Sequence, residues 1–153
     1  MKHFDYFAPT EIIFGAGRVT EAGALAARYG KKAMLVTVPE FPAVAELYAK
    51  VKKSLADAGV ACVHYDGVIP NPTTELVTRG AELAKAEGVD VVIGLGGGSS
   101  MDTAKAIAVE ATHPGTAWDY NCHTAGPTEQ TLPILAISTT AGTGSQTTPC
   151  AVI

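Results

Sequence analysis

At residues 89–102 the sequence reads VDVVIGLGGGSSMD. Its first half, from Val89 to Leu95, is an almost continuous apolar run, which is typical of a strand covered on both faces of a parallel sheet. Three consecutive glycines follow directly, and a helix is predicted from Thr103 to Glu110. A strand that passes through a glycine turn into a helix is the first half of a βαβ unit. This stretch therefore predicts an α/β fold.

The same arrangement recurs along the chain. Three further apolar runs predict buried strands: Ala33–Val38, Val60–Tyr65 and Ile134–Ile137. Apolar residues at helical spacing predict helices within 19–29, 44–55 and 76–84. Each helix is followed by a glycine that can adopt the closing left-handed conformation, namely Gly30, Gly59 and Gly88. We predict a Rossmann-like domain with a mainly parallel sheet, preceded by a short N-terminal strand from Thr10 to Phe14.

Length and composition narrow the class of protein further. The 153 residues correspond to one domain, taken as 1–153, and 47% apolar with 17% charged residues excludes a disordered tail or a coiled coil. The net charge of −4 argues against nucleic acid as a partner, and no run has the length of a membrane span. Cys62, Cys122 and Cys150 form no CxxC pair, which indicates neither disulfides nor a zinc knuckle and favours the cytoplasm.

The glycines at 96–98 suggest a site for an anion. A helix N-terminus presents unpaired N–H groups, and glycines let the backbone come within hydrogen-bonding distance of a phosphate. The spacing is neither the GxGxxG fingerprint nor a P-loop. The alternative is a turn without a ligand, in which Ser99 and Asp102 form only a helix capping box.

A second polar loop follows the fourth predicted strand. Residues 138–145 read STTAGTGS, with five hydroxyls among small residues. At the carboxyl end of a strand, such a loop can surround a phosphate or a ribose with hydroxyl and backbone donors. The alternative is a polar surface loop with no ligand.

Together the two loops resemble one family, the iron-containing (group III) alcohol dehydrogenases. The resemblance lies in GGGSSMDTAKAIA at 96–108 and in PILAI at 133–137 followed by TTAGTGS at 139–145. VIPNPT at 68–73 and PTEIIFG at 9–15 are also similar to segments of the family. The resemblance covers nearly the whole chain and implies hydride transfer between an alcohol and an aldehyde or ketone, with NAD or NADP and a divalent metal, iron or zinc.

The resemblance also implies roles for individual residues. The pyrophosphate would lie on Gly97, Gly98 and Ser99, with Gly96 also contacting the cofactor, and the nicotinamide ribose would lie beside Asp102. Further contacts to the cofactor would come from Val38, Asn71, Thr139, Thr140, Thr143 and Thr148. Cys150 would lie near the substrate pocket.

Two positions depart from the family pattern. Val38 stands where the family commonly has an Asp that binds the adenosine ribose, and Gln146 stands where it usually has Glu. Without that Asp, no charge repels a 2′-phosphate, so we expect the chain to accept both NAD and NADP.

No metal ligand is assigned. The histidines His3, His64, His113 and His123 show no i, i+4 pairing, and the nearby Asp119, Cys122 and His123 lie in a Pro/Gly-rich turn region. The resemblance implies that a helical C-terminal domain, absent from this chain, supplies the ligands. We therefore expect a truncated cofactor-binding half, inactive alone, from a homodimeric enzyme that acts on a small alcohol or aldehyde. The alternative is a stand-alone nucleotide- or phosphate-binding module without catalysis.

Overall fold

A computed structural model describes residues 3–5, 7–120 and 126–153, and it confirms the α/β fold with a parallel sheet. The four strands are β1 (Lys32–Val36), β2 (Ala61–Tyr65), β3 (Val91–Gly96) and β4 (Ile134–Ser138). Their order is β2-β1-β3-β4, and every neighbouring pair is parallel. The predicted strands therefore exist with bounds shifted by one or two residues at several ends.

Helices cover both faces of this sheet. They are α1 (Ala22–Ala26), α2 (Pro42–Asp57), α3 (Thr74–Glu87) and α4 (Gly98–Glu110). Successive β1 side chains enter opposite cores: Leu35 packs with α1 and α2, whereas Met34 and Val36 pack with α3 and α4. The continuous apolar run that predicted β1 is thus explained, since both faces of the strand are buried.

The strand order creates a crevice at the carboxyl edge of the sheet. The chain moves from β1 outward to β2 and then returns to the other side of β1 to form β3. Connections therefore leave β1 and β3 in opposite directions, and ligands of open α/β sheets bind at such a switch point. Val38 follows β1 and the glycine loop follows β3, so the fold places both beside the crevice.

Close packing of α4 on β3 fixes the helix N-terminus at this edge. A Cβ added to Gly94 would lie 2.8 Å from the Met101 Cα and 2.9 Å from the Ala104 Cβ. Glycine at position 94 therefore allows the helix to approach the strand more closely than any side chain would. The glycine belongs to β3, and its function here is packing.

The N-terminal region differs from its prediction. The short strand predicted from Thr10 to Phe14 is wrong: these residues have no strand structure, and Phe14 is 90% exposed. A strand needs a hydrogen-bonding neighbour, and the described sheet contains only β1 to β4. The helix predicted within 19–29 is a 3₁₀ turn, Arg18–Glu21, followed by α1.

Two other local predictions need correction. The helix predicted from Thr103 begins at Gly98. Gly59 and Gly88 have the left-handed φ values of +70° and +62° expected after a helix. Gly30, in contrast, does not have a left-handed φ. Glycine is needed there because an added Cβ would collide with the side chain of Asp90.

The segment 113–131, predicted to be rich in turns, contains a 3₁₀ turn at Ala117–Tyr120. Cys122 and His123 lie outside the described residues. Within the described ranges, no helix combines the length and the apolar character needed to cross a bilayer.

Candidate functional site

The glycine loop forms the turn between β3 and α4. Gly96 ends the strand with φ +146°, and a Cβ there would lie 2.5 Å from the Ser100 Oγ, so this position requires glycine. Gly97 is the N-cap of α4 with an extended backbone, and Gly98 is the first helical residue. The first N–H groups of α4 therefore lack helical acceptors at the carboxyl edge of the sheet.

The capping-box alternative is wrong. Because the N-cap is Gly97, Ser99 lies inside the helix, and no side chain caps the N-terminus of α4. Instead, the Asp102 carboxylate is bonded to other side chains described below. The orphan N–H groups of this helix are thus left for a ligand or for water.

The threonine loop, residues 139–144, lies over the glycine loop. A Cβ added to Gly97 would meet only the Thr140 Oγ1 within 4 Å, at 3.7 Å. One added to Gly98 would lie 3.3 Å from the Thr143 Cγ2. The two loops therefore lie against each other, with the Thr140 hydroxyl beside Gly97 and the Thr143 side chain beside Gly98, so that backbone N–H groups and hydroxyls are close together. These groups suit a pyrophosphate, which needs donors and close approach of the backbone.

The sheet itself holds the two loops in register. Gly96 pairs with Ser138 at the end of the β3–β4 ladder, and the Thr139 N–H donates to the Gly96 carbonyl at 2.9 Å. The Ser138 Oγ donates to the Thr140 carbonyl at 2.9 Å. Sequence-predicted residues from separate segments are thereby brought together by strand pairing.

A buried polar cluster lies beyond these loops along α4. The Asp102 Oδ1 accepts hydrogen bonds from the Ser145 Oγ at 2.7 Å and from the Lys105 Nζ at 3.1 Å. The Lys105 Nζ also donates to the Ser145 Oγ at 2.8 Å and to the Cys150 carbonyl at 2.6 Å. The Lys105 and Asp102 side chains are only 9% and 12% exposed.

Sequence reasoning missed Lys105 and Ser145 in this cluster. The available signal was the i, i+3 spacing of Asp102 and Lys105, which places both on one face of α4. Cys150 contributes its carbonyl, whereas the residue as a whole is exposed. Thr148, also named from sequence, lies in the same segment, where its Oγ1 accepts the Cys150 N–H at 3.2 Å.

Val38 lies at the other side of the crevice, after β1. Its carbonyl accepts a hydrogen bond from the Tyr48 hydroxyl at 3.3 Å. The Oγ1 of the neighbouring Thr37 is 2.9 Å from the His64 Nε2. The loop after β2 is held there because the Val68 N–H donates to the Thr37 carbonyl at 3.2 Å. Asn71 is an exposed residue of this loop, in the left-handed conformation with φ +53°.

The histidine beside Val38 gives a prediction on pH. Partial burial lowers the pKa of His64, and Lys52 lowers it further, against the opposing carboxylates of Asp66 and Glu40. The pKa of a histidine in the unfolded chain is about 6.5. As the pH falls below this pKa, the unfolded chain binds the proton first, so the folded state loses stability. We expect His64→Gln to lose less unfolding free energy than wild type between pH 8 and pH 5.

Urea unfolding of both proteins at the two pH values measures this difference. His3→Gln, at an exposed histidine outside the sheet, is the matched control and should follow wild type. An equal loss of stability in wild type and His64→Gln would show that the histidine does not contribute.

The described residues offer no metal centre. Within residues 3–5, 7–120 and 126–153, no three His, Cys, Asp or Glu side chains are grouped as metal ligands. His113, for example, is bonded within the fold: its Nε2 accepts the Thr128 N–H at 2.9 Å. The side chains in these ranges therefore do not form a site that fits a metal ion.

Known proteins resemble this chain closely in sequence. Choline dehydrogenase of Bacillus subtilis is 45% identical and is matched over 100% of this chain and 39% of its own length. NAD-dependent methanol dehydrogenase of Bacillus methanolicus is 36% identical over 97% of this chain and 39% of its own length. The chain thus spans about two fifths of the relatives it matches.

The same relationship holds for structure and for the family profile. The alcohol dehydrogenase ADH/D1 from an archaeal halo-thermophile of a Red Sea brine pool has a TM-score of 0.93 and 42% identity, over 100% of this chain and 40% of its own. The family described as iron-containing alcohol dehydrogenase matches residues 9–153. The fold, the two loops and these matches agree, and the chain belongs to the iron-containing alcohol dehydrogenase family.

Proposed function

We propose that this chain binds NAD or NADP as the cofactor-binding part of an alcohol dehydrogenase. The observation that carries the proposal is the approach of the Thr140 hydroxyl to Gly97, at the N-terminus of a helix of 13 residues and beside the switch point of the sheet. Donors grouped in this way suit two linked phosphates, and a dinucleotide bound there would extend along the carboxyl edge in both directions.

We assign the two halves of the cofactor to the two directions along the carboxyl edge of the sheet. The adenosine ribose would lie toward Val38 at the end of β1, with Asn71 in the adjoining loop. The pyrophosphate would contact Gly96–Ser99 and the hydroxyls of Thr140 and Thr143. The remaining direction leads to Asp102, and there the nicotinamide ribose would lie beside Thr139 and Thr148, with Cys150 toward the substrate.

The bound nicotinamide supplies the hydride acceptor or donor of the reaction. What the chain's own residues do is hold and orient it: backbone donors fix the phosphates, and Asp102 fixes the ribose. The related proteins are named for choline, methanol and butanol, so we propose a small primary alcohol or its aldehyde as substrate.

Further parts of the proposal concern the setting of the protein. We assign residues 1–153 to one cofactor-binding domain of a homodimer in the cytoplasm, without a nucleic-acid or membrane partner. The acidic net charge and the absence of a CxxC pair in the sequence support this setting.

A second candidate function is a nucleotide-binding module without catalysis. The observation that favours it is the lack of any grouped metal ligands among the described residues. The two functions share the same cofactor site and differ in whether alcohol reduces the bound cofactor.

Calorimetric titration of the purified protein with NAD, NADP and ADP, with EDTA present and with Zn²⁺ or Fe²⁺ present, tests the proposal. We expect all three ligands to bind, with affinities independent of the chelator, because no described metal group contributes to the cleft. Failure of NAD and ADP to bind would overturn the proposal. NADH formation with short alcohols then separates a dehydrogenase from a binding module.

A further inference from the structure

We propose that Lys105 is a positioning residue, which holds the Asp102 carboxylate in one orientation for the nicotinamide ribose and fastens the segment 145–150 to α4. The inference rests on the proposed cofactor site. It goes beyond that site because the Lys105 amine donates to protein acceptors and would act on the cofactor only through Asp102.

The first observation is that all donors of the buried amine are used. A lysine ammonium has three N–H donors. In this chain the Lys105 Nζ reaches three acceptors, the Asp102 Oδ1, the Ser145 Oγ and the Cys150 carbonyl, at 3.1, 2.8 and 2.6 Å. A buried ammonium with three fixed acceptors has one orientation, so it serves as a rigid connection and not as a mobile acid or base.

The second observation concerns the two carboxylate oxygens of Asp102. Among the described residues, the hydrogen bonds to this side chain end on Oδ1, from Lys105 and from Ser145. Oδ2 therefore has no protein donor within this described part of the chain. Because Oδ1 is held from two sides, the carboxylate cannot rotate to exchange its oxygens without breaking both bonds. It therefore presents Oδ2 to a ligand hydroxyl.

The third observation places this acceptor on one half of the crevice. Asp102 is bonded to Ser145, which follows β4, and β4 lies on the opposite side of β3 from β1. Val38, at the end of β1, is on the other half. Of a dinucleotide whose pyrophosphate lies on the glycine loop, only one ribose can reach each side. Replacing Lys105 should therefore weaken binding of the ribose beyond the second phosphate and leave binding of the ADP half unchanged.

Two probes separate these halves: ADP, and ADP-ribose, which carries the additional ribose without nicotinamide. We expect Lys105→Met to weaken ADP-ribose binding at least tenfold while ADP affinity stays within twofold of wild type. Ser145→Ala, which removes one of the two bonds to Oδ1, should weaken ADP-ribose binding severalfold. Lys50→Met, at an exposed lysine on α2 paired with Glu46, is the matched control and should bind both probes as wild type does.

A double-mutant comparison distinguishes positioning from general disruption. If Lys105 acts through Asp102, Lys105→Met should weaken ADP-ribose binding in wild type but add little in an Asp102→Asn background. Removing the amine leaves Asp102 as a buried charge without its cation, so the single variant can fail to fold. In that case two other proteins test the positioning role: Ser145→Ala, and the double variant Lys105→Met with Asp102→Asn, in which both charges are gone.

Three results would overturn the inference: unchanged ADP-ribose affinity in Ser145→Ala and Lys105→Met, equal loss of ADP and ADP-ribose, or fully additive losses with Asp102→Asn. Failure of the proposed function looks different, because wild type would then bind neither probe. The measurement is calorimetric titration of each variant under one salt condition, with circular dichroism as the check on folding.

Discussion

Replacing Gly97 by valine is expected to weaken NAD binding by more than a hundredfold while the protein stays folded. The valine Cβ has room, since only the Thr140 Oγ1 lies within 4 Å, at 3.7 Å. Gly97 has φ −81°, which valine can adopt, so the backbone is not strained. The loss of a good N-cap costs about 1 kcal/mol of stability. In the proposed site, however, the valine side chain would occupy the place of the pyrophosphate.

Titration calorimetry measures the affinity, and thermal unfolding followed by circular dichroism measures the fold. Gly126→Val is the matched control, because Gly126 is exposed and an added Cβ there meets nothing within 4 Å among the described residues. NAD affinity near that of wild type in Gly97→Val would show that the phosphates bind elsewhere. The positive φ of Gly96, +146°, makes that position unsuitable for this test, since a side chain there would disturb the turn itself.

Replacing Val38 by aspartate is expected to shift selectivity toward NAD by at least tenfold, through weaker binding of NADP. Two charges about 4 Å apart interact by about 4 kcal/mol at an effective dielectric constant of 20, and 1.4 kcal/mol corresponds to tenfold in affinity. Wild type has no such charge at position 38, so it should accept both cofactors. The variant should also gain a hydrogen-bond acceptor for the ribose hydroxyls of NAD.

The selectivity is the ratio of the dissociation constants of NADP and NAD at one salt concentration. Val38→Asn is the matched control, since it adds a polar side chain of similar size without the charge and should leave NADP binding nearly unchanged. Rejection of NADP by wild type by a hundredfold or more would contradict the argument. Glu40, two residues further along the chain and exposed, would then be the acidic group that acts on the 2′ position.

The sheet and its helices were predictable from sequence because each central strand is apolar on both faces. Met34 and Leu35 enter opposite cores, so the run from Ala33 onward shows no alternation. The start of α4 was not predictable in the same way. Gly98 has a low helix propensity, and only the packing of Met101 and Ala104 against Gly94 extends the helix to it.

The proximity of the candidate site residues was predictable where they share a loop, and not where they meet through the fold. The glycine and threonine loops follow β3 and β4, which the apolar pattern locates directly. Lys105 looks in sequence like a solvated lysine on a helix. Its acceptors Ser145 and Cys150 are about forty residues further along the chain, and nothing in local pattern connects them.

The parallel pairing of the strands has a consequence for how the protein is made. Ala33 pairs with Val91, and Val92 pairs with Ile134, so both borders of the crevice join segments that are far apart along the chain. Contacts of such long sequence separation close late and make folding slow. During synthesis, a nascent chain that has not yet released β4 lacks the threonine loop entirely and cannot hold a dinucleotide between two loops. The proposed cofactor site is therefore complete only in the finished sheet, and a ligand that binds only this state would stabilise it against partly folded forms.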